Sequence, residues 1–148
     1  MTGRPGAYVH VPYCKTLCPY CDFVKARTKS GVPDTFLDAI CSEVEHFQAP
    51  GPVGSIFLGG GTPSLLTVAQ LKRLLLSIGK HGPVHSAEIT VEVNPDDVSD
   101  EVVRGWVDAG VNRVSLGVQS FDDRVLRKLG RRHNAQKARE ACTKIAEH

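Results

Sequence analysis

Cys14, Cys18 and Cys21 place three of the chain's five thiols within the short run CKTLCPYC. Thiolates are soft ligands and good nucleophiles, so a cluster this tight points to metal ligation or thiol redox chemistry. A closed structural zinc site wants four ligands, usually two separated CxxC pairs. Here there is no second pair, and His10 is the residue that could supply a fourth ligand. Redox exchange needs two thiols, Cys18 and Cys21 of CPYC, and leaves Cys14 without a task. An iron–sulfur cubane bound by three cysteines keeps one iron free of protein, a place for chemistry.

Further residues with chemical potential sit where strands end. AYVHV (7–11) reads as a strand running into the Pro- and Cys-rich segment, which reads as a loop. SIFL (55–58) is a second strand and leads into GGGTP (59–63). ITVEV (89–93) is a third, with Glu92 near its end, and RVSLGV (113–118) is a fourth, followed by Gln119. Four strand ends thus deliver a Cys loop, a Gly run, a carboxylate and an amide to one rim. The C-terminal rim of parallel strands is where barrel enzymes keep their chemistry.

The elements between these strands read as helices. From Pro33, residues Phe36, Leu37, Ile40, Val44 and Phe47 recur at helical spacing. Thr67 can cap a helix whose face is Val68, Leu71, Leu74, Leu75 and Ile78. Asp100 can cap a third through Val102, Val103, Trp106 and Val107, with Gly110 closing it. Further helical patterns cover 122–129 and 135–147. Strand–helix alternation without hairpin signals implies a parallel sheet of right-handed βα units, either a doubly wound sheet or a barrel.

Side-chain alternation favours the barrel. One set along the strands is aliphatic: Val9, Val11, Ile56, Leu58, Ile89, Val91, Val93, Val114, Leu116 and Val118. The other is largely polar or small: Tyr8, His10, Phe57, Gly59, Thr90, Glu92, Asn94, Ser115, Gly117 and Gln119. A sheet sandwiched by helices is apolar on both faces, so a polar face implies a lumen lined for binding. A complete eight-unit barrel needs about 250 residues. The 148 residues here supply four or five units, so the fold expected is α/β, a partial parallel βα barrel in a single domain, with the C-terminal part absent.

Composition narrows the class. With 41% hydrophobic and 23% charged residues and a net charge of +2, the chain has neither a membrane span nor a dense basic surface for nucleic acid. MTGRPGAYV carries no apolar core of a secretory leader, so a cytosolic, reducing compartment is expected, where a Cys cluster serves metal or redox chemistry. Cys41 and Cys142, distant and in helical patterns, are expected to be small buried or half-buried side chains.

CPYC also resembles the glutaredoxin active-site tetrapeptide, which keeps a thiol-disulfide oxidoreductase in view. The C-x3-C-x2-C spacing, with an aromatic residue before the last cysteine, resembles the radical S-adenosylmethionine (SAM) superfamily. YVHVPYCKTLCPYCDF, IFLGGGTPSLL, ITVEVNPDDVSDE and VNRVSLGVQSFDDRVLRKLGRRH resemble the anaerobic coproporphyrinogen oxidase family and its HemW branch of haem chaperones. That resemblance implies that Cys14, Cys18 and Cys21 bind a [4Fe-4S] cluster whose open iron is chelated by SAM. It implies SAM contacts from Gly60, Gly61 and Thr62, from Glu92, and from Gln119 and Arg131, the last with Arg132 beside it. Tyr8 and Tyr20 match aromatic positions lining the cofactor. The chemistry implied is one-electron cleavage of SAM to methionine and a 5′-deoxyadenosyl radical. Haem or porphyrin, a haem-accepting client and an electron-donor protein are the implied partners, haem through the absent C-terminal region. The oxidases proper carry a fourth cysteine where this chain has Phe23, which favours the HemW branch over the decarboxylating dehydrogenase. The pair His133-Asn134 reads as a loop or helix start rather than a haem-ligand motif.

Overall fold

The computed structural model describes residues 4–47, 51–82, 84 and 86–148, so Met1 to Gly3 of the stretch read for a leader lie outside the described residues. The elements run β1 (Gly6–Val11), β2 (Tyr13–Cys14), β3 (Ala26–Arg27), α1 (Asp34–His46), β4 (Ser55–Gly60), α2 (Val68–Gly79), β5 (Glu88–Val93), α3 (Asp100–Ala109), β6 (Arg113–Leu116), α4 (Asp123–Lys128) and α5 (Ala135–Ala146). Short 3-10 turns occupy Pro63–Leu65 and Pro95–Asp97.

The main sheet has the order β1-β4-β5-β6 and every pairing is parallel. Neighbours in space are successive in the chain, without the reversal of order that defines a doubly wound sheet. The alternation read from the sequence is in register across the strands. Val9 lies opposite Leu58, Leu58 opposite Val91, Val91 opposite Val114, and Val93 opposite Leu116. That face is sealed: Ile56 and Leu58 are buried together with Leu71 and Leu74 of α2 and Trp106 of α3. The helices pack in series over it, α1 on α2, α2 on α3 and α3 on α5.

On the other face Tyr8 lies opposite Phe57, His10 opposite Gly59, and Glu92 opposite Ser115. It is open, with Tyr8 59% exposed. Sequential parallel strands with helices on one side and a polar open side form a partial barrel. Gly59 and Thr90 are the buried members of this face, the Thr90 hydroxyl accepting from Arg113 Nη1 at 3.2 Å.

Helix ends follow local chemistry. Thr67 forms a capping box with Gln70 at the start of α2. Ser99, one residue before the expected Asp100, caps α3 by accepting from the Val102 N–H at 3.3 Å. Asp100 instead sits in the first turn, where a carboxylate complements the helix dipole. Gly110 closes the helix at φ 99°. Asn134 caps α5 through the Lys137 N–H, so the His133-Asn134 pair is a helix start. Other expectations also need correction. The Cys segment is not bare loop, because β2 and β3 pair at its base. Cys142 is exposed, on the outer side of α5, while Cys41 is buried as expected. Phe47 falls just past the end of α1 and is also exposed.

Candidate functional site

The β2–β3 ladder sets Tyr13 against Ala26 and Cys14 against Arg27. The Thr28 N–H donates to the Cys14 carbonyl at 2.9 Å, so the chain leaves and returns at one root. Cys14 is buried at that root; Cys18 and Cys21 are half-buried further out, and all three are free thiols. The Cys21 N–H donates to the Cys18 carbonyl at 3.2 Å, closing CPYC into a turn. All three cysteines line one cavity of about 300 Å³ at the C-terminal rim of the sheet.

The opposite walls come from the next three strand ends. Gly60 ends β4 and Gly61 and Thr62 follow it, Glu92 and Asn94 come from the end of β5 and its exit, and Ser115, Gly117 and Gln119 come from β6 and its exit. Arg131, from the turn after α4, reaches back across the rim. Its Nη2 donates to Asn94 Oδ1 at 2.5 Å and to the Gly117 carbonyl at 2.8 Å. Its Nη1 points to Tyr20 Oη at 3.4 Å and Cys18 Sγ at 3.7 Å. Arg132 turns elsewhere and pairs with Asp96 at 3.9 Å, which separates the two adjacent guanidiniums.

The glycines answer to the protein itself. A Cβ on Gly61 would stand 2.8 Å from the Tyr13 carbonyl oxygen, and one on Gly60 would stand 2.7 Å from the His10 ring. Gly60 also adopts φ 109°, and its N–H is taken by Glu92 Oε2 at 3.0 Å. The resemblance implies that these glycines contact SAM; the structure adds that the Val11–Tyr13 backbone and the His10 ring already fill the space a side chain would need. Gln119 has φ 66°, an uncommon conformation for a non-glycine residue.

Burial pushes the Cys14 thiol above its ordinary value; the Thr62 hydroxyl, donating to Sγ at 3.4 Å, works against it. Cys21 and Cys18 push it up further and Lys25 pulls it down, which places all of these groups in one electrostatic neighbourhood. Burial also raises the Tyr20 phenol, against the pull of Arg131.

Residues 8–148 match the model of the radical SAM superfamily. The chain belongs to this superfamily. It is 42% identical over 135 residues to the heme chaperone HemW of Lactococcus lactis subsp. lactis, covering 90% of this chain and 35% of that protein. To the Escherichia coli heme chaperone HemW it is 40% identical over 140 residues, covering 91% and 37%. The solved structure of coproporphyrinogen III oxidase (HemN) from Escherichia coli, a radical SAM enzyme, superposes with a TM-score of 0.82 at 31% identity, covering 98% of this chain and 35% of that one. The chain therefore spans about a third of the length of the curated relatives it matches.

Membership in the radical SAM superfamily implies a [4Fe-4S] cluster and SAM, and the residues present fit both. The donor set is three thiols on one loop; among the described residues no fourth cysteine lines the cavity, and Phe23 stands 62% exposed on the same wall. No three His, Cys, Asp or Glu side chains among the described residues gather around a single-ion position. A cubane takes each thiolate on a different iron and does not require that convergence. Arg131 Nε is buried without a partner among the described residues, a donor in reserve for an anionic ligand.

Of the residues singled out in the sequence, Cys14, Cys18, Cys21, Tyr20, Gly60, Gly61, Thr62, Glu92, Gln119 and Arg131 all line the cavity. Tyr8 does not; it lines a neighbouring cavity, stacks on Phe57 and shares a 3.0 Å hydrogen bond with His10 Nδ1. Burial raises its phenol, and the nearby Glu92 carboxylate raises it further. Asn94, Ser115 and Lys25 also line the cavity and were not singled out. Alternation had put Asn94 and Ser115 on the lumen face, a usable signal; Lys25 had none. Its ammonium donates to the Cys21 carbonyl, folding the outer limb of the loop on itself.

Proposed function

We propose that Cys14, Cys18 and Cys21 hold a [4Fe-4S] cluster, that SAM is seated against it by the opposite walls, and that the chain is the cofactor-binding part of a HemW-type haem chaperone. When bound, the cluster supplies the single electron for reductive cleavage of the SAM sulfonium. The chain's own residues orient and shield. Arg131, fixed by Asn94 and Gly117, offers its guanidinium to the SAM carboxylate. Glu92, steadied by the Gly60 N–H, suits a cationic amino group or ribose hydroxyls. Gly60, Gly61 and Thr62 present backbone to the methionyl end, Gln119 a further polar contact, and Tyr20 an aromatic wall.

The observation that carries this reading is convergence: four strand ends and the Arg131 turn bring ten of the residues singled out in the sequence to one cavity. The HemW branch is favoured over the decarboxylating oxidase by Phe23 in place of a fourth cysteine. It is also favoured by the 40–42% identity to proteins named heme chaperone, against 31% to the oxidase. Haem or porphyrin, a haem-accepting client and an electron-donor protein complete the proposal for the whole protein, as does a cytoplasmic location. No helix among the described residues is long and apolar enough to cross a membrane.

Anaerobic reconstitution with iron and sulfide tests the ligand set. Wild type should take up iron and show thiolate–iron charge-transfer absorbance, and Cys14→Ala, Cys18→Ala and Cys21→Ala should each retain little iron. Full iron content in all three variants would refute the assignment.

A further inference from the structure

The loops that build the cavity are tied to one another twice. On the cavity side Thr62 Oγ1 donates to Cys14 Sγ and accepts from Asn94 Nδ2 at 3.3 Å. On the outer side a single carboxylate repeats the link: Asp97 Oδ1 accepts from Lys15 Nζ at 3.2 Å, and Oδ2 accepts from Ser64 Oγ at 2.8 Å. Lys15 is the residue after Cys14, Ser64 follows the glycine run, and Asp97 ends the turn after β5. One side chain therefore joins the exits of β2, β4 and β5.

We propose that Asp97 is a positioning residue that fixes the root of the cysteine loop through Lys15, so that Cys14 is held in place before iron arrives. This rests on the reading of that loop as the cluster ligand loop. Asp97 is suited to the task because its side chain is only 9% exposed while that of Lys15 is 47% exposed. A carboxylate so withdrawn from water depends on its partners, and charge-assisted bonds are the stronger kind. Its backbone is rigid: Pro95 opens the turn, and the Asp97 N–H donates to the Asn94 carbonyl at 2.9 Å. The anchor is thus on the firm side and the tether on the cysteine loop. A pre-ordered ligand loop loses less conformational freedom on binding, which shows as slower metal loss.

The test compares wild type, Asp97→Ala, Asp97→Asn, Lys15→Met and the double variant Lys15→Met/Asp97→Ala, each reconstituted anaerobically. Iron transfer to an external chelator is followed by the fading of visible absorbance. Asp97→Ala should release iron roughly 10-fold faster than wild type, the scale on which residues supporting metal ligands act. Asp97→Asn, which keeps one acceptor oxygen and puts an NH2 donor in place of the other, should fall between the two. Lys15→Met, at a half-exposed position that leaves the core intact, should shift the rate in the same direction. The double variant should be no faster than Asp97→Ala, because both changes cut one link. In the metal-free chain, amide hydrogen exchange across residues 14–21 should rise in Asp97→Ala and Lys15→Met. Wild-type iron-release rates in both single variants would overturn the role of Asp97 while leaving the cysteine assignment standing. Failure of wild type to take up iron would overturn the cysteine assignment instead, and exchange rates unchanged by either substitution would then overturn the anchor as well.

Discussion

The two faces of the sheet are made by the same strands and held by different physics. The helix-covered face is secured by many overlapping aliphatic contacts around Ile56, Leu58, Leu71 and Trp106. The cavity face is secured by single polar links, such as Arg131 to Asn94, Glu92 to Gly60 and Thr62 to Cys14. Dispersion and burial are cumulative and non-directional, so the first face sets stability. Hydrogen bonds are directional and individually modest, so the second sets geometry. A chain built this way can lose a site residue and still fold.

That contrast can be broken most forcefully at Trp106, which is 2% exposed. Trp106→Ala should cost about 3–5 kcal/mol in urea unfolding of the metal-free chain, whereas Cys18→Ala should stay within about 0.5 kcal/mol. Comparable losses would erase the distinction. Gly61→Ala probes the boundary between the faces: its new Cβ meets backbone 2.8 Å away, so a loss of about 1–3 kcal/mol is expected from the forced shift. Arg131→Lys sharpens the cavity side. A lysine cannot span Asn94, Gly117 and Tyr20 with one planar fork, so the SAM dissociation constant of the reconstituted chain should rise about 10-fold, or 1.4 kcal/mol, in calorimetry, with metal-free stability nearly unchanged. Thr67→Ala, far from the cavity, should cost about 1 kcal/mol through the lost cap and leave SAM affinity as it was.

Legibility in the sequence followed the same division. Alternation fixes which strand residues share a face because the pleat has period two, so the sealed face and the polar face were both readable before any coordinates. Caps were readable to within a residue, as the shift from Asp100 to Ser99 shows, because Ser and Asp compete for the same role. Strand length was not readable at β6. The expected strand ran to Val118, but it stops at Leu116, where the Gly117 carbonyl turns to Arg131 and Gln119 enters the left-handed region. Nothing in RVSLGV announces a partner that arrives from the turn after α4. Arg131 came from resemblance alone, and local pattern could not have placed it; alternation put Tyr8 on the open face, and only its role as a cofactor-lining residue came from the resemblance. Asp97 was hidden for the same reason: its two donors lie in loops distant in sequence, and only the fold brings them together.

The cluster proposed for this loop has one iron that the protein does not ligate. The direct measurement is electron paramagnetic resonance of the anaerobically reconstituted and reduced chain, recorded before and after addition of SAM. The spectrum should change on titration with SAM in wild type and fail to appear in Cys14→Ala. A reduced cluster in wild type whose spectrum is indifferent to saturating SAM would contradict the account.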